Sequence, residues 1–195
     1  MKVKICGLTN YDDAMYAAQA GADALGFVFY EKSPRYISFE DSAKIIEKLP
    51  PFITKVGLFV EHSKSEIEQG AKISGIDLAQ IHFDTTQEFL DSINFKTLPV
   101  VRAKNAQDIN NFSGYKLIDA YCQSYGGSGK RLNLKWFKGV DCSKIIIAGG
   151  LTPYNLEQLK DFGFYGVDVS SGVELRKGKK DYTKIEEFIK NAKSL

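Results

Sequence analysis

Lys144-Ile145-Ile146-Ile147-Ala148-Gly149-Gly150-Leu151-Thr152 decides how this chain folds. Its unbroken apolar run does not alternate, so it fits a strand buried on both faces, as parallel strands covered by helices are. Two glycines end the run, and helical apolar spacing follows over 154–162. Working outward, the same unit of short apolar run, polar or glycine junction and amphipathic stretch appears eight times. The strands are expected at 3–7, 24–29, 55–60, 78–82, 99–103, 117–120, 144–148 and 166–169. The helices are expected at 11–20, 39–49, 64–73, 86–93, 106–112, 132–137, 154–162 and 182–192. In the last of these, Ile185, Phe188, Ile189 and Ala192 repeat at i, i+3, i+4 and i+7, one helical face. Eight units in 195 residues leave about 24 each, close to the minimum for strand, helix and two loops. A single α/β domain over residues 1–195, a (β/α)8 TIM barrel, is therefore expected, and an open doubly wound sheet is the alternative.

Composition narrows the function. With 44% hydrophobic and 26% charged residues the chain is globular, and 26 basic against 24 acidic residues give a net charge of only +2. No polyanion-binding surface follows from that balance, so nucleic acid is not an expected partner. The opening MKVKICGLTNYDD has no apolar signal core, and no later run suits a membrane span, which suggests a cytoplasmic protein. Cys6, Cys122 and Cys142 are odd in number and lack CxxC spacing; with only His62 and His82 alongside, neither disulfides nor a closed zinc site are indicated.

In a barrel, the strand-to-helix junctions share one rim, which carries the chemistry. Gly7-Leu8-Thr9-Asn10-Tyr11-Asp12 and Gly150-Leu151-Thr152-Pro153-Tyr154-Asn155 echo each other at two such junctions. Cys6 ends the first strand, where helix N-termini would favour its thiolate and make it a base or nucleophile; a small buried hydrophobe is the plainer reading. Cys122 is a weaker candidate, and Cys142 falls on the opposite side. Asp119 closes an apolar strand, a costly place for a carboxylate unless partners or a pocket receive it. The two make an acid/base pair on one rim.

Three glycine clusters also sit at junctions. Gly126-Gly127-Ser128-Gly129-Lys130 fails the Walker pattern, because Ser124 replaces the first glycine and Arg131 follows the lysine. Gly149-Gly150 and Ser170-Ser171-Gly172 close the last two strands, where backbone N–H groups hold phosphate in barrels of this kind; tight turns would explain either alone. Arg35, behind Pro34, could clamp a carboxylate with two parallel hydrogen bonds. The run Arg176-Lys177-Gly178-Lys179-Lys180 reads as a solvated loop that could steer anions. His82, at the end of strand four, could bond a ligand or a neighbouring loop.

Taken together, Lys4-Ile5-Cys6-Gly7-Leu8-Thr9, 21–29, Ser33-Pro34-Arg35-Tyr36, 126–130, 148–152 and 167–174 resemble the phosphoribosylanthranilate isomerase family over nearly the whole chain. The resemblance implies a cofactor-free and metal-free Amadori rearrangement of N-(5-phosphoribosyl)anthranilate in tryptophan biosynthesis, in a monomer or homodimer. Cys6 takes the family's general-base role and Asp119 its general-acid role. Arg35 binds the anthranilate carboxylate, Asp168 a hydroxyl or the amine, and Gly149, Gly150, Ser171 and Gly172 the phosphate. His82-Phe83-Asp84-Thr85 replaces the family's usual His-Gly, and Arg131-Leu132-Asn133-Leu134 its usual Thr-Phe-Asp-Trp, so loop packing and substrate fit are in question there. A related two-aspartate barrel isomerase would need Asp at Cys6. A non-catalytic phosphosugar-binding barrel would need neither Cys6 nor Asp119.

Overall fold

The computed structural model describes residues 1–120 and 131–195. Cys122 and the glycine-rich run 126–130 lie outside the described residues. Among these, eight parallel strands close in sequence order into a barrel: β1 (Lys2–Cys6), β2 (Ala24–Val28), β3 (Thr54–Phe59), β4 (Leu78–Ile81), β5 (Thr97–Ala103), β6 (Lys116–Ala120), β7 (Ile145–Ile147) and β8 (Gly166–Val169). Lys2 pairs with Gly166 and Ile5 with Val169, so the first and last strands seal the sheet and the open-sheet alternative fails. The expected strand positions hold to within two residues at either end.

Side-chain alternation along each strand sorts the barrel into two environments. Val3 and Ile5 point outward into one large apolar layer shared with Ala14, Ala17, Phe188 and Ile189 of the surrounding helices. Lys4 and Cys6 point inward. Within the barrel, one small apolar cluster gathers Cys6, Val28, Leu58 and Val60, and another Leu98, Val100, Leu117 and Ala148. Polar side chains occupy much of the remaining interior, Lys4, His82, Asp119 and Asp168 among them.

Among the described residues, five α-helices flank the barrel: α1 (Tyr11–Gln19), α2 (Phe39–Ile46), α3 (Lys64–Ser74), α4 (Gln87–Ser92) and α5 (Tyr182–Lys193). Each begins on a polar cap, Asn10, Ser38, Ser63, Thr86 or Asp181, whose side chain accepts a backbone N–H of the first turn. The other three expected helices, 106–112, 132–137 and 154–162, are short 3-10 turns instead, at Gln107–Asn110, Leu134–Phe137 and Leu156–Phe162. Local side-chain bonds displace the α pattern there. The Lys116 ammonium takes the carbonyls of Ile109, Asn111 and Phe112 at 2.6, 3.0 and 3.0 Å, and Asn155 bonds back to Thr152 N–H and the Gly150 carbonyl.

In the basic run 176–180 Arg176 and Lys177 are exposed as expected, but the run is not a loop. It forms most of an antiparallel hairpin, β9 (Glu174–Arg176) and β10 (Lys179–Lys180), folded against the start of α1. Buried Asp13 ties the two together, accepting Lys180 N–H at 2.9 Å and pairing with the Lys179 ammonium. Lys180 itself is buried.

Candidate active site

Cys6 ends β1 and Asp119 lies one residue before the end of β6, and both side chains face the interior at the rim where strands run into helices. Lys4, Gln80, His82, Arg102 and Asp168 share that interior by the same alternation. At its centre Lys4 Nζ meets Asp168 Oδ1 at 2.8 Å, with both side chains nearly buried. Gly26, paired with Cys6 across β1 and β2, makes the room: a Cβ there would lie 2.8 Å from Cys6 Sγ and 3.0 Å from Lys4 Cε.

Burial sets the direction for Asp119, His82 and Cys6. The Asp119 carboxyl is raised to about 6 by burial and by the nearby Asp168 charge, against the pull of Ala120 N–H, Arg102 and Lys4. His82 is held neutral, lowered to about 3 by burial and by Lys4 and Arg102. Gln80 Nε2 lies 3.3 Å from His82 Nδ1, which leaves the imidazole proton on Nε2, 3.7 Å from Asp119 Oδ2. His82 thus stands behind the carboxyl as a neutral imidazole, beyond hydrogen-bond distance of it.

The Cys6 thiol corrects one expectation. Its thiolate is not favoured at the strand end: burial pushes the thiol above its ordinary range, and the Lys4 charge only partly offsets this while Asp168 adds to it. Cys142 is buried on the opposite face, beside the start of β7.

Arg35 is buried with its fork on Glu174: Nε to Oε1 at 2.7 Å and Nη2 to Oε2 at 2.8 Å. Lys180 Nζ and Gly178 N–H also reach Glu174 Oε1, each at 3.3 Å. The carboxylate that Arg35 clamps here is therefore the protein's own, supplied by the hairpin. Gly7, left-handed at φ 76°, lets Arg35 pass, since a Cβ would sit 2.5 Å from its Cδ.

At the last two junctions, Gly149 and Gly150 have φ of 88° and 63°. Gly150 and Gly7 share this left-handed turn, so the sequence echo marks one backbone device used twice. Ser171 and Gly172 fall in a short 3-10 turn (Ser171–Val173), where a Cβ on Gly172 would run into the Leu151 carbonyl oxygen. The buried Ser170 hydroxyl has no hydrogen-bond partner among the described residues.

Comparison with known proteins decides the family. The model of N-(5'-phosphoribosyl)anthranilate isomerase, PRAI, matches residues 3–191. The chain belongs to the N-(5'-phosphoribosyl)anthranilate isomerase family. It is 62% identical over 196 residues to the N-(5'-phosphoribosyl)anthranilate isomerase of Sulfurovum sp. (strain NBC37-1), covering 100% of both chains. The phosphoribosylanthranilate isomerase of Thermotoga maritima superposes with a TM-score of 0.92 at 38% identity, with both chains fully covered. A phosphoribosylanthranilate isomerase solved with reduced 1-(o-carboxyphenylamino)-1-deoxyribulose 5-phosphate gives a TM-score of 0.87 at 37% identity, again over 100% of each chain.

Within this PRAI fold, the residues missed by sequence reasoning are Lys4, Gln80, Arg102 and Glu174. Strand parity could have found the first two, since Lys4 lies two positions from Cys6 and Gln80 two from His82; Arg102 and Glu174 gave no such signal. The two departures from the family pattern are accommodated. Phe83 packs edge-on against Phe89 of α4, ring centres 5.8 Å apart, and Arg131 Nη2 donates to Gln158 at 2.7 Å while Leu132 is buried.

Proposed function

We propose that this chain, as one catalytic domain over residues 1–195, rearranges N-(5'-phosphoribosyl)anthranilate to 1-(2-carboxyphenylamino)-1-deoxyribulose 5-phosphate in tryptophan biosynthesis, with Asp119 as general acid and Cys6 as general base. The observation that carries this reading is the pairing of a carboxyl raised to about 6 with a thiol on the same inner rim, around one Lys4–Asp168 pair. Protonated Asp119 gives its proton to the furanose ring oxygen. The C1–O bond breaks as the amine nitrogen forms C=N, leaving an open-chain iminium. That cation acidifies the C2 proton, which the Cys6 thiolate removes, and the C–H electrons form an enolamine. Tautomerisation gives the ketone, so atoms and charge balance without a further reactant.

The same geometry supports the remaining roles. Arg35 uses Nε and Nη2 on Glu174, which fixes the guanidinium plane and leaves Nη1 as the atom offered to the substrate carboxylate. Asp168, anchored by Lys4, receives a hydroxyl or the amine. His82 supports Asp119 and the substrate side of the pocket. Gly149, Gly150, Ser171 and Gly172 present main-chain N–H groups to the phosphate. The protein works as a monomer or homodimer in the cytoplasm, and no helix among the described residues is long and apolar enough to cross a membrane.

Loss of anthranilate-substrate fluorescence is the assay. Cys6→Ala and Asp119→Asn are each expected to lower kcat about 100-fold or more. Turnover comparable to the parent in either variant would overturn the assignment of that residue.

A further inference from the structure

Lys4 has no part in the chemistry written above, yet it is a buried cation at the centre of the site. A lysine wholly inside a barrel is costly unless its charge is used or compensated. Asp168 compensates it at 2.8 Å. The remaining geometry points to Cys6: Lys4 and Cys6 lie two residues apart on the same inner face of β1, and both side chains close over the bare backbone of Gly26. Sγ and Lys4 Cε lie 2.8 and 3.0 Å from one point, the position of the missing Cβ, so the sulfur and the end of the lysine stem share one space.

We propose that Lys4 is a positioning residue for the reaction: held by Asp168, its ammonium stands beside the Cys6 sulfur and stabilises the thiolate that removes the C2 proton. This rests on the reading of Cys6 as base. Other charged groups that act on Cys6 are Asp168 from β8, Lys180 from β10 and Arg35 from the loop after β2. Gly26, Val28, Leu58 and Val60 bring no charge. Burial works against the Lys4 charge, but Asp168 and a Cys6 thiolate outweigh it, so Lys4 stays charged through the working range. It lowers the thiol, whereas Asp168 raises it. The two members of one ion pair thus pull Cys6 in opposite directions, so removing either charge should move the thiol with its own sign.

The test is the pH dependence of Cys6 alkylation by iodoacetamide in the full-length protein, followed by mass spectrometry of the peptide carrying Cys6. Parent, Lys4→Met, Lys4→Arg and Asp168→Asn are compared. Lys4→Met should move the midpoint up by about one pH unit or more, a loss of about tenfold in thiolate at neutral pH. Lys4→Arg should stay close to the parent, and Asp168→Asn, which keeps an acceptor for Lys4 but removes the anion, should move the midpoint down. An unmoved midpoint in Lys4→Met, or shifts of the same sign in Lys4→Met and Asp168→Asn, would overturn the proposal. If Lys4→Met does not fold, Asp168→Asn decides: a downward shift supports the role and an unmoved or upward one refutes it. An inert Cys6→Ala with unmoved midpoints condemns Lys4 alone, whereas full turnover by Cys6→Ala condemns the base reading beneath it.

Discussion

Burial sets Asp119 and Cys6 against each other. It raises both groups, which helps an acid that must keep its proton and hinders a base that must lose one. Protonated Asp119 with Cys6 thiolate is therefore a minor form of the free enzyme, since the ordinary values already favour the opposite arrangement. The sign of the pH dependence follows. Below pH 6 both groups are protonated, and the active form grows tenfold with each unit as the thiol ionises. Between about 6 and the thiol's own range, the active form and the dominant form carry the same number of protons, so kcat/KM is flat. Above that range it falls. A profile of kcat/KM against pH should therefore break near 6 in the parent, and the residual activity of Asp119→Asn should lose that break and keep rising. A break that survives in Asp119→Asn would assign it to another group.

At the scale of elements, the clearest departure from expectation is the trio of 3-10 turns, and Lys116 shows how one arises. Its ammonium serves three carbonyls at the end of Gln107–Asn110, where Phe112 is left-handed at φ 63°. Lys116→Met keeps the stem and strands those acceptors, so urea unfolding should show a loss of about 1–3 kcal/mol with little change in KM. No loss would mean that water replaces the ammonium freely. The strands were legible because β-branched runs such as Ile145-Ile146-Ile147 have few alternatives to a buried parallel strand. The turns were not, because periodicity reports which side chains are apolar and says nothing of a lysine arriving from the next strand. The β9–β10 hairpin was hidden for a related reason: Lys179 and Lys180 read as solvent-facing charge, while Asp13, the partner of Lys179, lies 166 residues away and Glu174 meets Lys180 only once the hairpin forms. Cys6, Asp119 and the rim glycines stood out through position alone, at strand ends. That Arg35 already grips Glu174 depends on the hairpin, and so was invisible with it.

Across the whole molecule, barrel closure is what turns sequence-distant residues into neighbours. Pairing of β1 with β8 sets Lys4 opposite Asp168 across 164 residues, and pairing of β5 with β6 sets Arg102 opposite Asp119. The rim then gathers a carboxyl, a thiol, a fixed guanidinium and three left-handed glycines, Gly7, Gly149 and Gly150, at one end of the barrel. Each group is ordinary alone; the proposed reaction needs all of them on the same sugar. A crystal structure with reduced 1-(o-carboxyphenylamino)-1-deoxyribulose 5-phosphate measures that convergence. The phosphate should rest on the N–H groups of Gly149, Gly150, Ser171 and Gly172, the carboxylate on Arg35, and the reacting carbons within about 4 Å of Cys6 Sγ and the Asp119 carboxyl. A ligand whose sugar carbons lie beyond reach of either side chain, with its phosphate seated on another part of the rim, would contradict the assignment of acid and base.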